Sequence, residues 1–323
     1  AIADSSDSGE NRFVSTVLTN STLDAADFIK AGGIVAFPTE TVYGLGANVF
    51  DESAVARIFE AKKRPADNPL IAHVSSLDQI KDIAAEITES AQKFIEAFFP
   101  GPITVVLKKH VAVPMVATAG LDTIGIRMPR FEHANQFLTA CGVPVVAPSA
   151  NLSGRPSPTT WQAVYEDLGG RIDCILQGEI TEIGIESSVV DCTGKVPILL
   201  RTGSVSLDEL RTIVPETTTD QGMELSVRSP GMRHKHYAPR ANVIIVDDVP
   251  TLSENAAFIG INVTETDFAF SKICVDPQEY AHLLFEFFRE CDRRGISTIY
   301  CQTVSTDGIG AALMDRLRRA SEA

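Results

Sequence analysis

The apolar positions of this chain alternate between short runs typical of buried strands and longer stretches with helical spacing. An apolar run at residues 34–37 is followed by a glycine-rich turn around Gly44 and Gly46, and then by a helix that Asp51 is placed to cap. A second apolar strand follows at residues 70–74. Because glycines let backbone N–H groups approach anions, we expect this strand–turn–helix–strand unit to organise a ligand site.

The same patterns predict further elements up to residue 214. Helices are predicted at 22–31, 77–99, 132–141, 161–168 and 206–214, the last with a capping box of Ser206 and Glu209. Further strands are predicted at 103–107, 124–128, 143–147, 172–176, 187–191 and 197–201. Since strands and helices mix without strict alternation, residues 11–214 are predicted to form one α/β domain with a mixed, twisted sheet. Residues 1–10 are polar and acidic, and we expect a disordered tail.

Two further segments follow this domain. Residues 215–240 show no periodicity and are predicted to be a linker. Residues 241–323 predict a small Rossmann-like α/β domain, with strands at 242–246, 256–261 and 298–301 and helices at 276–295 and 308–320. No G-x-G-x-x-G follows its first strand, so we expect a lid or interaction domain rather than a cofactor domain.

Composition excludes several classes of protein. The 323 residues are 44% hydrophobic and 22% charged, which is ordinary for a soluble globular protein. A net charge of −14 argues against a general binder of nucleic acid or of acidic membranes. The six cysteines form no C-x-x-C pair and predict reduced, buried thiols. With no membrane-spanning apolar run and no signal-peptide pattern, we expect a cytoplasmic protein.

Cations stand at several predicted element ends. Lys62 and Arg64 precede a helix-breaking proline, and a mobile ammonium beside a guanidinium fork suits a triphosphate, although each alone is more often a surface charge. Arg127 lies inside an apolar strand and needs a carboxylate, either from the protein or from a ligand. His73 is open to the same two interpretations, and a hydrogen-bonded core histidine is the usual one.

Hydroxyl and amide groups accompany these cations. Ser149 and Asn151 follow a predicted buried strand, where open α/β sheets bind ligands, and the alternative is an Asx-type turn. Residues 228–240 are rich in arginine, lysine and histidine. This segment is either a cationic strap over an anionic site or a solvated basic turn. Ser187 and Arg201 add a hydroxyl and a cation at strand ends. Because acids are few in this set, it favours binding of anions and an amino acid over acid–base hydrolysis.

Eight motifs, in order, resemble the YrdC-type threonylcarbamoyl-AMP synthase family in its long form with an additional C-terminal domain. They are F-P-T-E-T-V-Y-G-L-G (37–46), K-K-R-P-x-x-N-P-L (62–70), F-P-G-P-I-T (99–104), I-x-I-R-x-P (124–129), P-S-A-N-x-S-G (148–154), E-S-S-V-V-D (186–191), L-R-x-G (200–203) and S-P-G-M-R-H-K-H-Y-A-P (229–239). No single motif is specific, but their order is, and the resemblance covers nearly the whole chain past the first ten residues.

The resemblance implies that L-threonine, bicarbonate (or CO2) and ATP give threonylcarbamoyl-AMP and pyrophosphate, for modification of tRNA to N6-threonylcarbamoyladenosine. It places threonine near Thr41, His73, Arg127 and Ser187, with Arg127 on the threonine carboxylate. It places ATP on Lys62, Arg64, Asn68, Thr123, Ser149, Asn151 and Arg201, with the linker, especially His234 and Tyr237, closing over the nucleotide. Lys62 and Arg64 are expected to be the catalytic residues. Mg2+ is expected to be held mainly by ATP phosphates, with no protein side-chain ligand.

Other classes of function stay open at this stage. One is a double-stranded RNA-binding module, because the expected pocket is basic and concave, although the net charge weighs against strong direct nucleic-acid binding. A regulatory protein that binds nucleotide without turnover is another, with the C-terminal domain as its partner surface. Carbamoyl-adenylate chemistry on a different amine is a third. As an enzyme of this family, the protein would hand its product to the tRNA threonylcarbamoyl transferase machinery.

Overall fold

The computed structural model describes residues 15–219, 237–251, 254–261, 263, 267–268 and 270–322. The strands within these residues are β1 (Val17–Thr19), β2 (Val35–Phe37), β3 (Gly44–Asn48), β4 (Ile71–His73), β5 (Ile103–Lys108), β6 (Thr123–Arg127), β7 (Val145–Ala147), β8 (Cys174–Leu176), β9 (Ser188–Asp191), β10 (Ile198–Arg201), β11 (Thr218–Thr219), β12 (Asn242–Val246), β13 (Ala256–Ile261), β14 (Phe270–Cys274) and β15 (Thr298–Gln302). The helices are α1 (Thr22–Lys30), α2 (Glu52–Lys62), α3 (Asp78–Ile83), α4 (Glu89–Phe98), α5 (Glu132–Cys141), α6 (Trp161–Leu168), α7 (Leu207–Ile213), α8 (Pro277–Arg293) and α9 (Ile309–Ser321). No helix in these ranges combines the length and apolarity that crossing a bilayer requires.

An eleven-stranded mixed sheet forms the N-terminal part, in the order β1-β8-β2-β3-β7-β4-β6-β5-β9-β10-β11. At its centre, β4 runs parallel to β6 and antiparallel to β7. His73 is the register partner of both Arg127 and Val145. Register partners project to the same face of a sheet, so the histidine and the arginine lie side by side at its middle.

The two faces of this sheet are covered differently. One face carries the large apolar core, against helices α2, α3, α4, α6 and α7. On the other face, α1 and α5 pack over β8, β2 and β7, and a small apolar cluster of Val106, Val189 and Leu200 covers β5, β9 and β10. Between these two clusters, β4 and β6 present His73 and Arg127 beside the apolar Ile71. This gap in the packing is where the cavity described below lies.

Helix boundaries follow the capping residues read from the sequence. The Asp51 carboxylate accepts from the N–H of Ala54 at 3.0 Å and begins α2. The capping box of Ser206 and Glu209 begins α7. Asp276 caps α8, with Pro277 in its first turn.

The single helix predicted at 77–99 is wrong, because the chain forms α3 and α4 with an extended residue between them. Ala84 pairs with Lys109 in an isolated bridge, and the N–H of Ala85 donates to the carbonyl of Lys108. Thr88 then caps α4. Hydrogen bonding to the end of β5 replaces one helical turn.

The glycine-rich turn predicted around Gly44 and Gly46 is instead strand β3, paired antiparallel with β2 and β7. Close packing explains why this strand contains glycines: a Cβ on Gly46 would lie 2.6 Å from Cγ1 of Val145. Strands β1 and β14 were not predicted, and β11 lies within the predicted linker. All six cysteines are buried and unpaired, as predicted.

The C-terminal part contains a parallel four-stranded sheet in the order β12-β15-β13-β14, with α8 and α9 in its core. That core also takes in Val42, Ile185 and Tyr237. Apolar packing therefore continues from the C-terminal helices to the edge of the cavity in the N-terminal sheet. Residues 220–236, with most of the predicted linker, lie outside the described residues.

Candidate active site

A cavity lies over the centre of the N-terminal sheet, in the gap between the two apolar clusters on that face. Its wall brings together residues from distant parts of the chain, among them Thr41, Arg64, His73, Arg127, Ser149, Ser187, Arg201 and Tyr237. All eight were singled out from the sequence. Three guanidinium groups and several hydroxyls around one cavity make an environment suited to anions.

Arg127 at the end of β6 is held by two neighbours. Its Nη1 donates to Oγ1 of Thr41 at 2.8 Å, and its Nη2 lies 2.8 Å from Oε2 of Glu40. The contact with Glu40 is a close ion pair without hydrogen-bond alignment, since neither of these two atoms has a hydrogen-bond partner among the described residues. Both side chains are almost completely buried. The carboxylate that the sequence demanded for this buried cation is therefore present in the protein.

His73 occupies the position beside Arg127. Its Nδ1 lies 3.1 Å from the carbonyl oxygen of Ile71, and its ring meets that of Phe37 edge to face. Burial and the neighbouring Arg127 lower the pKa of His73 to about 3. The imidazole is thus neutral near pH 7, and it serves as a hydrogen-bonding group rather than a cation.

Ser187 and Arg201 form a second buried pair in the wall. The Arg201 guanidinium donates from Nε to the carbonyl of Ser187 at 3.0 Å and from Nη2 to its hydroxyl at 3.2 Å. The Ser187 hydroxyl also shares a hydrogen bond with that of Thr104 at 2.9 Å. These contacts fix the hydroxyl beside the cavity, and burial lowers the pKa of Arg201.

Arg64 and Asn68 carry unused polar atoms. Nη2 of Arg64 donates to the carbonyl of Asn68 at 3.0 Å, whereas its buried Nε has no hydrogen-bond partner among the described residues. Both amide atoms of the buried Asn68 also lack one there. Burial lowers the pKa of Arg64 to about 10, so it stays cationic near pH 7. Unpaired buried polar atoms are costly, so these groups are well placed to receive a ligand.

Lys62 lies behind the wall rather than in it. Its Nζ donates to the carbonyl oxygens of Ser149 and Asn151, each at 2.5 Å. Burial, and secondarily Arg64, lower the pKa of Lys62 well below its ordinary value. Asn151 in turn donates to the carbonyls of Leu152 and Arg155. The P-S-A-N segment is thus a turn that Lys62 fastens to α2, with Ser149 exposed to the cavity.

Asn68 and Thr123, like Lys62 and Asn151, are predicted ATP residues that do not line the cavity wall. Thr123 begins β6, at the opposite end of that strand from Arg127, and does not line the wall. Because β4 and β6 are parallel, Thr123 stands at the same sheet edge as Asn68, which precedes β4. His234 falls in the residues that the structure does not describe. Tyr237 lines the cavity and stacks on Phe285 of α8.

Two acidic side chains accompany the arginines of the cavity. Glu186 lines the cavity and Glu40 lies directly behind it, each against an arginine. Both occur inside motifs noted in the sequence, but neither was singled out because their partners are far away along the chain. The described residues contain no cluster of three or more histidine, cysteine or acidic side chains that could hold a metal ion.

Family models cover nearly all of the described chain. A model described as telomere recombination, for Sua5, YciO and YrdC proteins, matches residues 27–203. A second, described as the C-terminal domain of threonylcarbamoyl-AMP synthase, matches residues 205–322.

Curated relatives are similar over the same extent. Threonylcarbamoyl-AMP synthase of Pyrococcus abyssi is 43% identical over 316 residues, 92% of this chain and 93% of its own length. Threonylcarbamoyl-AMP synthase of Bacillus subtilis is 36% identical over 317 residues, 92% of each chain. The enzyme of that name from Schizosaccharomyces pombe is 32% identical, over 89% of this chain and 84% of its own.

Solved structures share the fold. The crystal structure of P. abyssi Sua5 complexed with L-threonine matches with a TM-score of 0.86 and 40% identity, over 96% of this chain and 97% of that one. Escherichia coli YciO matches in fold alone, with a TM-score of 0.51 and 23% identity over 58% of this chain and 93% of its own.

Proposed function

The chain belongs to the threonylcarbamoyl-AMP synthase family of Sua5 and YrdC proteins, and we propose that it joins L-threonine, bicarbonate (or CO2) and ATP into threonylcarbamoyl-AMP, with release of pyrophosphate. It is an adenylyl-transferring enzyme, as its relatives are named. One observation carries the assignment of substrates: Arg64, Arg127 and Arg201 surround one cavity lined with hydroxyls. A polyphosphate and an amino-acid carboxylate need such a combination.

The reaction is a nucleotidyl transfer that follows carbamate formation. The threonine amine attacks the carbon of bicarbonate or CO2 and loses a proton, giving a carbamate, with loss of water in the bicarbonate case. A carbamate oxygen then attacks the α-phosphorus of ATP, and the bond to the leaving pyrophosphate breaks. Such a transfer depends on positioning and charge neutralisation, so we assign no covalent nucleophile to the protein.

We assign threonine to the end of the cavity formed by Arg127, Thr41, His73 and Ser187. The neutral His73 and the two hydroxyls provide hydrogen-bonding groups, while Arg127 provides the charge. Since Glu40 already contacts Arg127, the threonine carboxylate would share this guanidinium with it. The P. abyssi relative whose structure contains L-threonine supports an amino acid as one substrate.

ATP is assigned to the end of the cavity near Arg64 and Ser149, extending to the amide of Asn68, which has no hydrogen-bond partner among the described residues, and to Thr123 at the adjoining strand end. Arg201 and Tyr237 also line the cavity, whereas His234 lies outside the described residues. We assign charge neutralisation of the phosphates to Arg64. Lys62 and Asn151 act by holding the P-S-A-N turn in place.

Mg2+ would supply charge compensation on the phosphates, and we propose that ATP itself holds it. Glu186 in the cavity wall faces Arg316, and Glu40 behind the wall faces Arg127, which leaves both carboxylates poorly suited as metal ligands. We further propose a cytoplasmic enzyme whose product goes to the tRNA threonylcarbamoyl transferase machinery. Six unpaired buried thiols support a reducing compartment.

Pyrophosphate release tests the proposal directly. The full-length protein is given ATP, bicarbonate and Mg2+, with L-threonine, L-serine, glycine or no amino acid. Release that depends on threonine is the expected result. Release without preference among the amines indicates another acceptor, and absence of release leaves a nucleotide-binding or RNA-binding protein, which titrations at two salt concentrations separate.

A further inference from the structure

Arg316 on α9 is completely buried and reaches from the C-terminal domain into the N-terminal one. Its Nε donates to Oε2 of Glu186 at 3.0 Å, and its Nη1 donates to the carbonyl of Thr202 at 3.1 Å. The guanidinium also lies over the ring of Tyr237, with Cζ 5.3 Å from the ring centroid. Its own-helix neighbour Asp315 accepts a further bond from Nη1 at 2.7 Å.

The three segments that Arg316 contacts all line the cavity. Glu186 and Tyr237 are in the wall themselves, and Thr202 follows the wall residue Arg201. Arg316 does not reach the wall, so it acts only through these neighbours. A planar guanidinium with donors in a rigid fork can fix three such segments at once, which a lysine cannot.

Charge gives Arg316 a second role. Glu186 places a carboxylate in the wall of a cavity that we assign to ATP and threonine, both of which carry negative charge. Its Oε1 accepts from the Ser157 hydroxyl at 2.5 Å, and its Oε2 faces Arg316. Without Arg316, this carboxylate would repel the nucleotide through a medium that screens poorly.

We propose that Arg316 is a positioning residue that neutralises Glu186 and thereby keeps the cavity cationic for ATP. The C-terminal domain is then an integral part of the active site rather than a detachable partner module. This inference rests on the proposed function for the identity of the nucleotide. Arg318, two positions along the same helix and exposed to solvent, provides a matched comparison.

The test uses full-length protein with Arg316→Met, Glu186→Gln, the double variant and the control Arg318→Met. Thermal melting checks folding, calorimetric titration gives ATP affinity, and pyrophosphate release gives kcat and KM. Arg316→Met is expected to weaken ATP binding about tenfold or more, and Arg318→Met to stay within about twofold of the wild type. Adding Glu186→Gln to Arg316→Met is expected to restore most of the lost ATP affinity, because it removes the unbalanced charge.

A purely structural role for Arg316 predicts the opposite, since a second substitution in the same network would leave affinity unchanged or lower it further. That result, or equal affinities for Arg316→Met and Arg318→Met, overturns the inference. If Arg316→Met does not fold, the double variant decides, because recovery of folding and affinity together again requires the charge argument. A wild-type protein that binds ATP but releases no pyrophosphate overturns the proposed function, while the titrations still decide the role of Arg316.

Discussion

Nη2 of Arg127 and Oε2 of Glu40 lie 2.8 Å apart. Arg127 is the last residue of the central strand β6, and Glu40 lies in the loop after β2. Glu40 is fully buried, so its negative charge is held beside the cavity by this arginine. A substrate carboxylate that approaches Arg127 enters a site whose charge is already balanced. The selectivity of this end must therefore depend on the surrounding hydroxyls as well as on charge.

Glu40→Gln tests this balance. Removing one member of a buried ion pair is expected to lower the free energy of unfolding by about 3 kcal/mol, because the arginine keeps its charge without a partner. Threonine supplies a carboxylate, so it should raise the melting temperature of the variant more than that of the wild type. Glu60→Gln on the exposed face of α2 serves as the control. Equal threonine-induced shifts in wild type and Glu40→Gln would contradict the proposed contact with Arg127.

Lys62 and Arg64 were assigned the same catalytic role from the sequence, but we expect substitutions of the two to affect stability and turnover differently. Lys62→Met leaves the buried carbonyls of Ser149 and Asn151 without their donor, so we expect a loss of about 1–3 kcal/mol in unfolding free energy along with reduced turnover. Arg64→Gln should instead lower turnover about 10²-fold or more with a much smaller effect on stability. Lys63→Met, at the exposed residue between them, is the control for both. Near-normal turnover in Arg64→Gln would remove Arg64 from the catalytic assignment.

Local signals in the sequence carry much of the N-terminal fold. The caps Asp51 of α2 and Ser206 of α7 could be predicted because each side chain binds a backbone N–H only three residues further along the chain. The break between α3 and α4 could not be foreseen in the same way. It depends on a hydrogen bond from the N–H of Ala85 to the carbonyl of Lys108, the last residue of β5, which is distant in sequence.

His73 should make stability sensitive to acid. The pKa of His73 is about 3 in the folded protein, against an ordinary value of 6.5. Between these two pH values the histidine therefore binds a proton in the unfolded chain but not in the folded protein. Stability is therefore complete above about pH 6.5 and falls by about 1.4 kcal/mol per pH unit as the pH drops toward 3. Urea titrations of wild type and His73→Gln between about pH 7 and about pH 5 should show their difference shrinking at that rate. A constant difference would mean that the pKa of His73 is the same in the folded and unfolded protein, and would contradict the lowered value.

Sequence reasoning found eight residues of the cavity wall but not Glu186, and it could not match the buried cations with their partners. Arg127 was recognised as a buried cation, while Glu40 could not be matched to it before the sheet brought them together. The arginines of the C-terminal helices were harder still. Arg289 and Arg293 stand one helical turn apart in the same charged stretch, yet only Arg289 is buried, against Asp167 and the carbonyl of Pro156. Burial of one helix face, which depends on domain docking, makes the difference.

Gly184 tests how tightly the two domains are joined. It has φ +84°, and a Cβ there would lie 2.4 Å from the carbonyl oxygen and 2.5 Å from Cα of His282 on α8. Since these are backbone atoms, they cannot move aside without shifting the helix that also carries Arg289 and the stacking partner of Tyr237. Gly142 has a similar φ of +72°, with nothing within 4 Å of its Cβ position.

Alanine at either glycine carries the cost of a left-handed backbone, about 1–2 kcal/mol, so the difference between the two variants isolates the clash. Gly184→Ala is expected to unfold at lower urea than Gly142→Ala and to lose at least about tenfold in kcat/KM for ATP, because α8 is displaced from the cavity edge. Gly142→Ala, at the end of α5 and away from the interface, should keep its ATP kinetics. If both variants lose stability equally and both keep their kinetics, close docking of the C-terminal domain does not support the cavity, and Tyr237 is positioned by the N-terminal domain alone.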